Sequence, residues 1–179
     1  MSKEHDLIAP GIARPGGVWA DIGSGIGYFT LPLCQILGPA GEIFSIDKDG
    51  KSLARQQRGL AELCPDARIH YIQADFTGAL DLPPLDGIVM ANALHFVRMQ
   101  DQSAVLTRLC SHLRPDGGRF IIVEYEARSG NPWVPYPVNY GSFQYLAGVA
   151  GLADVRRIAA IPSSFLREMY SAIGVRVPG

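Results

Sequence analysis

Short apolar runs alternate with longer amphipathic stretches along this chain. The first run, 18–22, ends at a cluster of glycines, and apolar residues at helical spacing follow until a Gly-Pro-Ala-Gly stop at 38–41. Four further runs of strand length follow, at 42–46, 68–72, 87–91 and 120–124. The stretches between them predict helices, among them 49–62 and a helix capped by Asp101 that runs to Leu113. Strands that alternate with helices in this way are typical of a parallel sheet with crossover helices.

The last third of the chain has a different pattern. Segment 129–137 contains too much proline for a helix or a central strand, and a helix is predicted near 141–150. Two further strands are predicted, at about 154–160 and 167–177. The link between them, 161–164, is too short for a parallel crossover, so the two strands should pair antiparallel. We therefore predict a doubly wound α/β sheet of seven strands, six parallel and one antiparallel, which is a Rossmann-like fold.

Composition limits the partners that the chain can have. With 179 residues, 47% hydrophobic and 18% charged, the chain fits one globular domain, 1–179. A formal net charge of −1 provides no basic surface for a nucleic-acid backbone or an anionic membrane. No stretch approaches a membrane span or the apolar core of a signal peptide, so we expect a cytoplasmic protein. Three cysteines without CxxC spacing indicate reduced thiols, with neither a disulfide framework nor a metal site.

The glycine cluster carries the first candidate chemistry. Segment 21–27 reads Asp-Ile-Gly-Ser-Gly-Ile-Gly at the end of the first predicted strand. Glycines at alternate positions let the backbone turn sharply and approach a ligand closely. An acid two residues before the first glycine favours a cofactor with a positively charged amino-acid end, and it would repel a pyrophosphate. A dinucleotide site usually has GxGxxG spacing, whereas this segment has GxGxG.

Two further acids follow the next two predicted strands. Asp47 could accept hydrogen bonds from both hydroxyls of a ribose, although Asp47 or Asp49 would serve equally as a helix N-cap. Asp75 could accept from an adenine amino group while the ring of Phe76 covers the adenine face. The carboxyl ends of parallel strands meet at one edge of a doubly wound sheet, so all three acids should converge on one crevice.

With these motifs the chain resembles class I S-adenosylmethionine-dependent methyltransferases over about 18–177. The separation of Asp21 and Asp47 and the Gly-Pro-Ala-Gly insert are similar to those of the ubiquinone and menaquinone methyltransferases and their small-molecule relatives. The resemblance implies S-adenosylmethionine as methyl donor and S-adenosylhomocysteine as product. It implies cofactor contacts from Asp21, Gly23, Ser24, Gly25, Gly27, Asp47, Lys48, Ala74, Asp75, Phe76, Asn92 and Ala93.

The resemblance also assigns parts of the cofactor. Asp21 and the glycines of 21–27 would hold the methionine part, Asp47 the ribose, and Asp75 with Phe76 the adenine. Segment 90–96 resembles the family motif that lies beside the sulfonium.

The fourth-strand motif departs from two branches of the family. Nucleic-acid amino-methyltransferases have an Asn/Asp-Pro-Pro-aromatic tetrad there, whereas Asn92 is followed by Ala-Leu-His. Related quinone and lipid enzymes often carry paired histidines where this chain has His95 and Phe96. The departures leave the substrate open.

Fewer residues of the sequence indicate how the methyl acceptor would bind and react. His95 is the candidate general base, because it follows the fourth strand and histidine titrates near neutral pH; the alternative is a structural role. Glu124 and Tyr125 should face the same crevice. One aromatic segment could wall a pocket for a flat or apolar acceptor or could simply seal the core: Trp133, Tyr136, Tyr140, Phe143 and Tyr145.

Three interpretations of function remain open from the sequence. The first is methyl transfer to a small-molecule acceptor, with no large lid expected. The second is a subunit that binds S-adenosylmethionine without catalysis of its own. The third is a nicotinamide-dependent oxidoreductase, which the GxGxG spacing and the Asp75-Phe76 pair argue against. The oligomeric state is not fixed by the sequence.

Overall fold

Helices and strands alternate along the chain as the apolar runs predict. The computed structural model describes residues 2–178. The strands are β1 Gly17–Ile22, β2 Gly41–Asp47, β3 Arg68–Gln73, β4 Gly87–Ala91, β5 Arg119–Tyr125, β6 Leu152–Ser163 and β7 Arg167–Arg176. The helices are α1 Lys3–Ile8, α2 Thr30–Leu37, α3 Gly50–Leu63, α4 Met99–Ser111 and α5 Tyr140–Val149. Short 3₁₀ turns lie at Ala9–Gly11, Gly38–Ala40 and Leu94–Phe96.

The seven strands form one sheet in the order β3-β2-β1-β4-β5-β7-β6. β7 runs antiparallel to both of its neighbours, and the other paired strands run parallel. The predicted doubly wound sheet with six parallel strands and one antiparallel strand is confirmed. The strand order reverses between β1 and β4, and ligands of open α/β sheets bind at the carboxyl ends of the strands at such a point.

The sheet separates two hydrophobic layers. β4 is buried along its whole length, and its side chains alternate between the layers. Ile88 and Met90 pack in the layer that contains α4 and α5, whereas Val89 and Ala91 pack in the layer that contains α1 and α2. A strand buried on both faces reads as a continuous apolar run, which explains why the sequence located β4 correctly.

Two helix starts differ from the sequence prediction. Helix α1 was not predicted, because it has only six residues and mixed charge; it begins where the Ser2 side chain accepts from the His5 N–H, and it buries Leu7 and Ile8. The predicted cap at Asp101 is wrong. α4 begins two residues earlier, at Met99, and Asp101 lies in its first turn.

The hairpin of β6 and β7 extends past the carboxyl edge of the sheet. The last residue of β5, Tyr125, pairs with Met169, and β7 continues beyond that pair to Arg167, which pairs with Ser163 of β6. The hairpin turn, 164–166, therefore stands above the edge at which the parallel strands end. Within residues 2–178, no helix is long and apolar enough to cross a membrane.

Candidate active site

A cavity of about 710 Å³ opens at the carboxyl edge of the sheet, where the strand order reverses. Its walls are the segments that follow β1, β2, β3 and β4. The lining residues are Gly23, Asp47, Lys48, Asp75, Phe76, Thr77, Asn92, Ala93, Phe96, Val97 and Arg98. This volume is in the range of small-molecule and cofactor sites. The cavity thus brings together residues from all four segments in which the sequence predicted cofactor contacts.

Other predicted site residues do not line this cavity. Asp21 is buried behind the glycine loop, Ser24, Gly25 and Gly27 belong to the loop without lining the cavity, and Ala74 packs against the core. Ala74 still supports the site, since its N–H donates to the Asp47 carbonyl at 3.0 Å.

A second cavity of about 230 Å³ adjoins the first at Asn92. It lies between α1, the segment before α2 and the end of β6, and it includes Tyr28, Ser163 and Met169. Asn92 is the lining residue that the two cavities have in common.

The glycine loop approaches its neighbours closely at Gly23. Gly23 has a φ of 72°, and a Cβ there would lie 2.6 Å from the Cβ of Ala93. The N–H groups of Gly23 and Ser24 both donate to the carbonyl of Ile46, at 2.9 and 3.0 Å. Gly25 has a φ of 53° and open space on the side where a Cβ would project. Glycine is thus required at 23 for close packing and left-handed backbone, and the loop surface is open at 25.

Asp47 joins the loop to the cavity. Its Oδ2 accepts from the N–H of Gly25 and its Oδ1 from the N–H of Asp49, both at 2.8 Å. Each carboxylate oxygen has a second lone pair and can accept a further hydrogen bond. The N-cap of α3 is Asp49, whose side chain accepts from the N–H of Lys51 at 3.0 Å. The alternative role of Asp47 as a helix cap is therefore wrong, and its carboxylate is available to a ligand.

Asp75 and Phe76 form the adjoining wall. The Asp75 Oδ1 accepts from the Thr77 N–H at 2.9 Å and from the Thr77 hydroxyl at 2.7 Å. These two hydrogen bonds hold the pKa of Asp75 below its ordinary value, so the exposed carboxylate is anionic at neutral pH. The Phe76 ring is half-buried and lies beside Gly23.

Asp21 lies deeper than the other two acids. Its side chain is only 1% exposed, and the Thr30 hydroxyl donates to its Oδ2 at 2.6 Å. Burial raises the pKa of Asp21 to about 7; the Thr30 hydrogen bond opposes the shift, and the nearby charge of Asp47 adds to it. Asp21 can therefore act on a ligand in the loop through its charge, which changes near neutral pH.

A buried polar network behind the loop was not found from the sequence. Gln56 of α3 is 1% exposed, and its Nε2 donates to the hydroxyl of Thr30, which in turn donates to Asp21. The Gln56 Oε1 lies 3.0 Å from the Ser45 hydroxyl, and that hydroxyl lies 2.7 Å from the hydroxyl of Ser24. The network fixes the glycine loop to β2, α2 and α3.

His95 and Glu124 form a buried pair beside the cavity. His95 lies on the 3₁₀ turn after β4 and is 3% exposed, while Glu124 is fully buried on β5. The His95 Nδ1 lies 2.6 Å from the Glu124 Oε2, and the His95 backbone N–H donates to Oε1 at 3.2 Å. His95 itself does not line the cavity, but its ring lies 4.3 Å from that of Phe96, which does.

The predicted aromatic segment is divided between two roles. Trp133 is 67% exposed, whereas Phe143 is fully buried in the core. Tyr140 packs against β6 and β7, Tyr136 is half-buried, and Tyr145 is exposed on α5. Two of the five rings, Tyr140 and Phe143, thus cover the sheet, whereas Trp133 and Tyr145 are exposed.

Asn92 has an unusual backbone and an unused acceptor. Its φ is 51°, a left-handed conformation, and its N–H donates to the carbonyl of Val123 at 2.8 Å. Its Oδ1 is enclosed and accepts no hydrogen bond from residues 2–178. Enclosed acceptors without partners are rare in proteins, and strained residues of this kind cluster at ligand sites.

The sheet order, the glycine loop and the acids at or just past the ends of β1, β2 and β3 define a Rossmann-like domain of the methyltransferase class. Residues 20–117, more than half of the chain, match the family model described as "Methyltransferase domain". The chain therefore belongs to the methyltransferase domain family.

Two curated relatives have similar sequences. The chain is 35% identical over 112 residues to a carboxy-S-adenosyl-L-methionine synthase of Chromohalobacter salexigens, covering 62% of this chain and 41% of the relative. It is 28% identical over 137 residues to a ubiquinone/menaquinone biosynthesis C-methyltransferase of Ectopseudomonas mendocina, covering 75% of this chain and 52% of the relative. The chain thus spans about half the length of these relatives.

Two solved structures have the same fold. The magnesium protoporphyrin IX methyltransferase of Synechocystis PCC 6803 with bound SAM has a TM-score of 0.70 at 19% identity, covering 95% of this chain and 74% of that chain. The 1,6-didemethyltoxoflavin-N1-methyltransferase of Burkholderia thailandensis, with bound 1,6-didemethyltoxoflavin and S-adenosylhomocysteine, has a TM-score of 0.75 at 19% identity, covering 97% of this chain and 76% of that chain.

Proposed function

We propose that the chain, acting as a single domain over 1–179, binds S-adenosylmethionine in the 710 Å³ cavity and transfers its methyl group to a small-molecule acceptor. The observation that carries this proposal is the position of Asp47. Its carboxylate orders the glycine loop at Gly25 and faces the cavity with accepting capacity left over.

The residues of the cavity fit the nucleoside part of this cofactor. Asp47 would accept from the ribose hydroxyls, with Lys48 beside it. The anionic Asp75 would accept from the adenine amino group, and the ring of Phe76 would cover the adenine face. Ala93 would pack against the opposite side, close to Gly23.

The glycine loop would hold the amino-acid part. Its open surface at Gly25 leaves room for the ligand, and Ser24 and Gly27 keep the loop in place through their contacts with the network around Gln56. A cationic amino group near the loop would favour the ionised form of Asp21. Asn92 lines both cavities, so its side chain would lie beside the bound cofactor.

When bound, S-adenosylmethionine supplies a methyl group on a positively charged sulfur. The protein then has to align the acceptor and exclude water, and it needs a base only if the acceptor must lose a proton. We assign that base to His95, whose ring lies 4.3 Å from that of the cavity residue Phe96 and whose Nδ1 contacts Glu124.

Several observations support a small acceptor. The second cavity, of about 230 Å³, shares the lining residue Asn92 with the first, and its small volume favours a compact molecule. The net charge of −1 offers no basic surface for nucleic acid. The 1,6-didemethyltoxoflavin-N1-methyltransferase, which has the same fold, carries the small molecule 1,6-didemethyltoxoflavin in its crystal structure.

Isothermal titration with S-adenosylmethionine, S-adenosylhomocysteine and NAD tests the cofactor assignment. We expect the first two to bind and NAD not to bind. Binding of NAD in their place would favour an oxidoreductase and overturn the proposal.

Mass spectrometry of the products then tests the reaction with a panel of small acceptors. A gain of one methyl group on an acceptor, together with S-adenosylhomocysteine, is the expected result. Cofactor binding without methyl transfer across the panel would favour a non-catalytic subunit. A modified S-adenosylmethionine would instead indicate a reaction like that named for the synthase relative.

A further inference from the structure

Arg108 of α4 is bonded to the loop that carries Asp75. One guanidinium nitrogen of Arg108 donates to the backbone carbonyl of Thr77, 31 positions away along the chain. Asp75 and Thr77 line the 710 Å³ cavity, whereas Arg108 does not. The contact therefore fixes a wall of the cavity to α4 from outside the cavity.

Thr77 in turn fixes the side chain of Asp75. The N–H and the hydroxyl of Thr77 both donate to the Asp75 Oδ1, at 2.9 and 2.7 Å. A carboxylate oxygen has two lone pairs, so both lone pairs of Oδ1 are used. Among the residues that the structure describes, nothing donates to Oδ2. Asp75 therefore offers a ligand one defined oxygen, Oδ2, in a fixed orientation.

The backbone of this loop is also held in place. The Asp75 carbonyl accepts from the Gly78 N–H at 3.0 Å, which closes a turn over 75–78, and Arg108 holds the Thr77 carbonyl within that turn. The half-buried Arg108 side chain leaves its Nε enclosed without a partner in residues 2–178, which costs folding free energy. The stability of α4 alone thus does not explain this position of the guanidinium, whereas a rigid cavity wall does.

We propose, building on the function proposed above, that Thr77 and Arg108 are positioning residues that make the cavity select a 6-amino purine over a 6-oxo purine. They hold Asp75 so that its Oδ2 meets the group on C6 of the base. The amino group of adenine donates to Oδ2. A 6-oxo purine has an oxygen at the same place, and two acceptors that face each other repel.

This selection depends on a carboxylate that cannot turn. A 6-oxo purine also carries a proton on N1, next to its oxygen. A mobile carboxylate could turn to accept from N1 and would then bind both kinds of base. Because Thr77 uses both lone pairs of the Asp75 Oδ1, such a turn breaks two hydrogen bonds. Asp75 supplies the acceptor, and Thr77 and Arg108 keep it directed at C6.

The first test compares the dissociation constants of S-adenosylhomocysteine and its 6-oxo analogue, S-inosylhomocysteine, by isothermal titration. The wild type should bind S-adenosylhomocysteine at least about tenfold more tightly. Thr77→Val loses the hydroxyl but keeps the shape, and Arg108→Met loses the guanidinium but keeps the apolar stem. Each should lower the ratio of the two constants by about threefold or more. Thr77→Ser keeps a hydroxyl and should retain the wild-type ratio.

The ratio of the two constants reports the orientation of Asp75 and not the stability of the fold. A general loss of stability would weaken the binding of both ligands equally and leave the ratio unchanged. The matched controls are Thr107→Val on α4 and Arg58→Met on α3, since both side chains are exposed. Both controls should keep the wild-type ratio. A drop in the controls as large as that in Thr77→Val would overturn the proposal.

The second test reverses the selection. In Asp75→Asn, Thr77 would hold the amide oxygen where Oδ1 lies, so the amide nitrogen would take the place of Oδ2. An amide nitrogen donates, so this variant should bind S-inosylhomocysteine more tightly than S-adenosylhomocysteine. Adding Thr77→Val should reduce this reversed preference, because one of the two donors that orient the amide is lost. An Asp75→Asn variant that still prefers S-adenosylhomocysteine would overturn the proposed orientation.

The outcomes separate this inference from the proposed function. If neither ligand binds to the wild type, the proposed function falls and the present inference falls with it. If S-adenosylhomocysteine binds and the wild type does not distinguish it from S-inosylhomocysteine, only the present inference falls. The same conclusion follows if Thr77→Val and Arg108→Met both keep the wild-type ratio.

Discussion

The backbone N–H of Gly25 donates a hydrogen bond of 2.8 Å to the Oδ2 of Asp47. The acid that faces the cavity from the end of β2 therefore also holds the glycine loop that follows β1. Loop order and ligand binding consequently depend on one side chain. The glycine loop is therefore ordered before a ligand binds. Because the loop does not have to be ordered on binding, the entropy cost of binding is lower.

Replacing Asp47 should weaken cofactor binding. We expect Asp47→Ala to reduce the affinity for S-adenosylmethionine by about 1–3 kcal/mol in isothermal titration, because ribose hydrogen bonds and loop support are lost together. The control is Asp49→Asn, which keeps an N-cap on α3 and should change the affinity by less than about 0.5 kcal/mol. Unchanged affinity in Asp47→Ala would show that the cofactor does not lie in this cavity.

Stability should fall with rising pH because of Asp21. Its pKa is raised from 3.8 to about 7, so between these values the folded protein binds more protons than the unfolded chain. The stabilisation is complete below the unfolded pKa and is lost as the pH rises through the folded pKa. Relative to Asp21→Asn, which stays neutral, the wild type should lose roughly 2–3 kcal/mol of unfolding free energy from pH 5 to pH 8.

Urea unfolding of both proteins at the two pH values measures this difference. Parallel pH dependence of the wild type and Asp21→Asn would mean that Asp21 titrates at its ordinary pKa. The Asn variant cancels the contributions of all other titrating groups, since they are common to both proteins.

A side chain at Gly23 should damage both the fold and the site. Gly23→Ala places a Cβ 2.6 Å from that of Ala93 at a left-handed φ, so we expect a loss of about 1–3 kcal/mol in stability and weaker cofactor binding. Gly59→Ala, within α3 and with open space around it, should be neutral or stabilise by up to about 1 kcal/mol. Thermal unfolding and titration of the two variants check both parts.

The buried network around Gln56 should contribute about as much to the free energy of unfolding as a contact in the hydrophobic core. Gln56→Leu removes one of the two buried hydrogen bonds that each hydroxyl of Ser45 and Thr30 makes, and we expect it to cost about 1–3 kcal/mol in urea unfolding. The neighbouring Gln57 is exposed, so Gln57→Leu should stay within about 0.5 kcal/mol of the wild type. A similar result for both variants would show that the network contributes little to stability.

The sequence predicts the sheet and the cavity edge well for a physical reason. Buried parallel strands read as apolar runs, and the acids Asp21, Asp47 and Asp75 each come at or just past the end of one, so topology brings them to one edge. The sequence could not show how deep each side chain lies. Asp21 shares the motif with the cavity residues, yet the Thr30 hydroxyl and the packing of α2 keep it behind the loop.

The sequence also could not predict which polar side chains, distant from one another along the chain, form hydrogen bonds. Gln56 falls on the apolar face of α3, with Leu53 and Leu60, which marks it as buried but does not name its partners on α2 and β2. The pairing of His95 with Glu124 joins residues 29 positions apart and depends on the alignment of β4 with β5. Such contacts follow from strand register rather than from local spacing.

The end of β6 was predicted too early. Pro162 and the serines after it indicate a turn, yet β6 continues to Ser163. β6 is an edge strand, so the missing N–H of Pro162 breaks no central ladder. This extension places Phe165 above the edge of the sheet. The sequence therefore did not predict that the Phe165 ring lies beside the ring of Tyr125.

Because the hairpin of β6 and β7 stands clear of the carboxyl edge, its tip and the body of the sheet can change independently. Residues added or removed in the turn 164–166 would alter the height of the wall beside Asn92 and Trp133 without touching a hydrogen bond to β5. Related chains can therefore differ in the acceptor that they prefer through changes in this short surface turn alone, with little effect on folding.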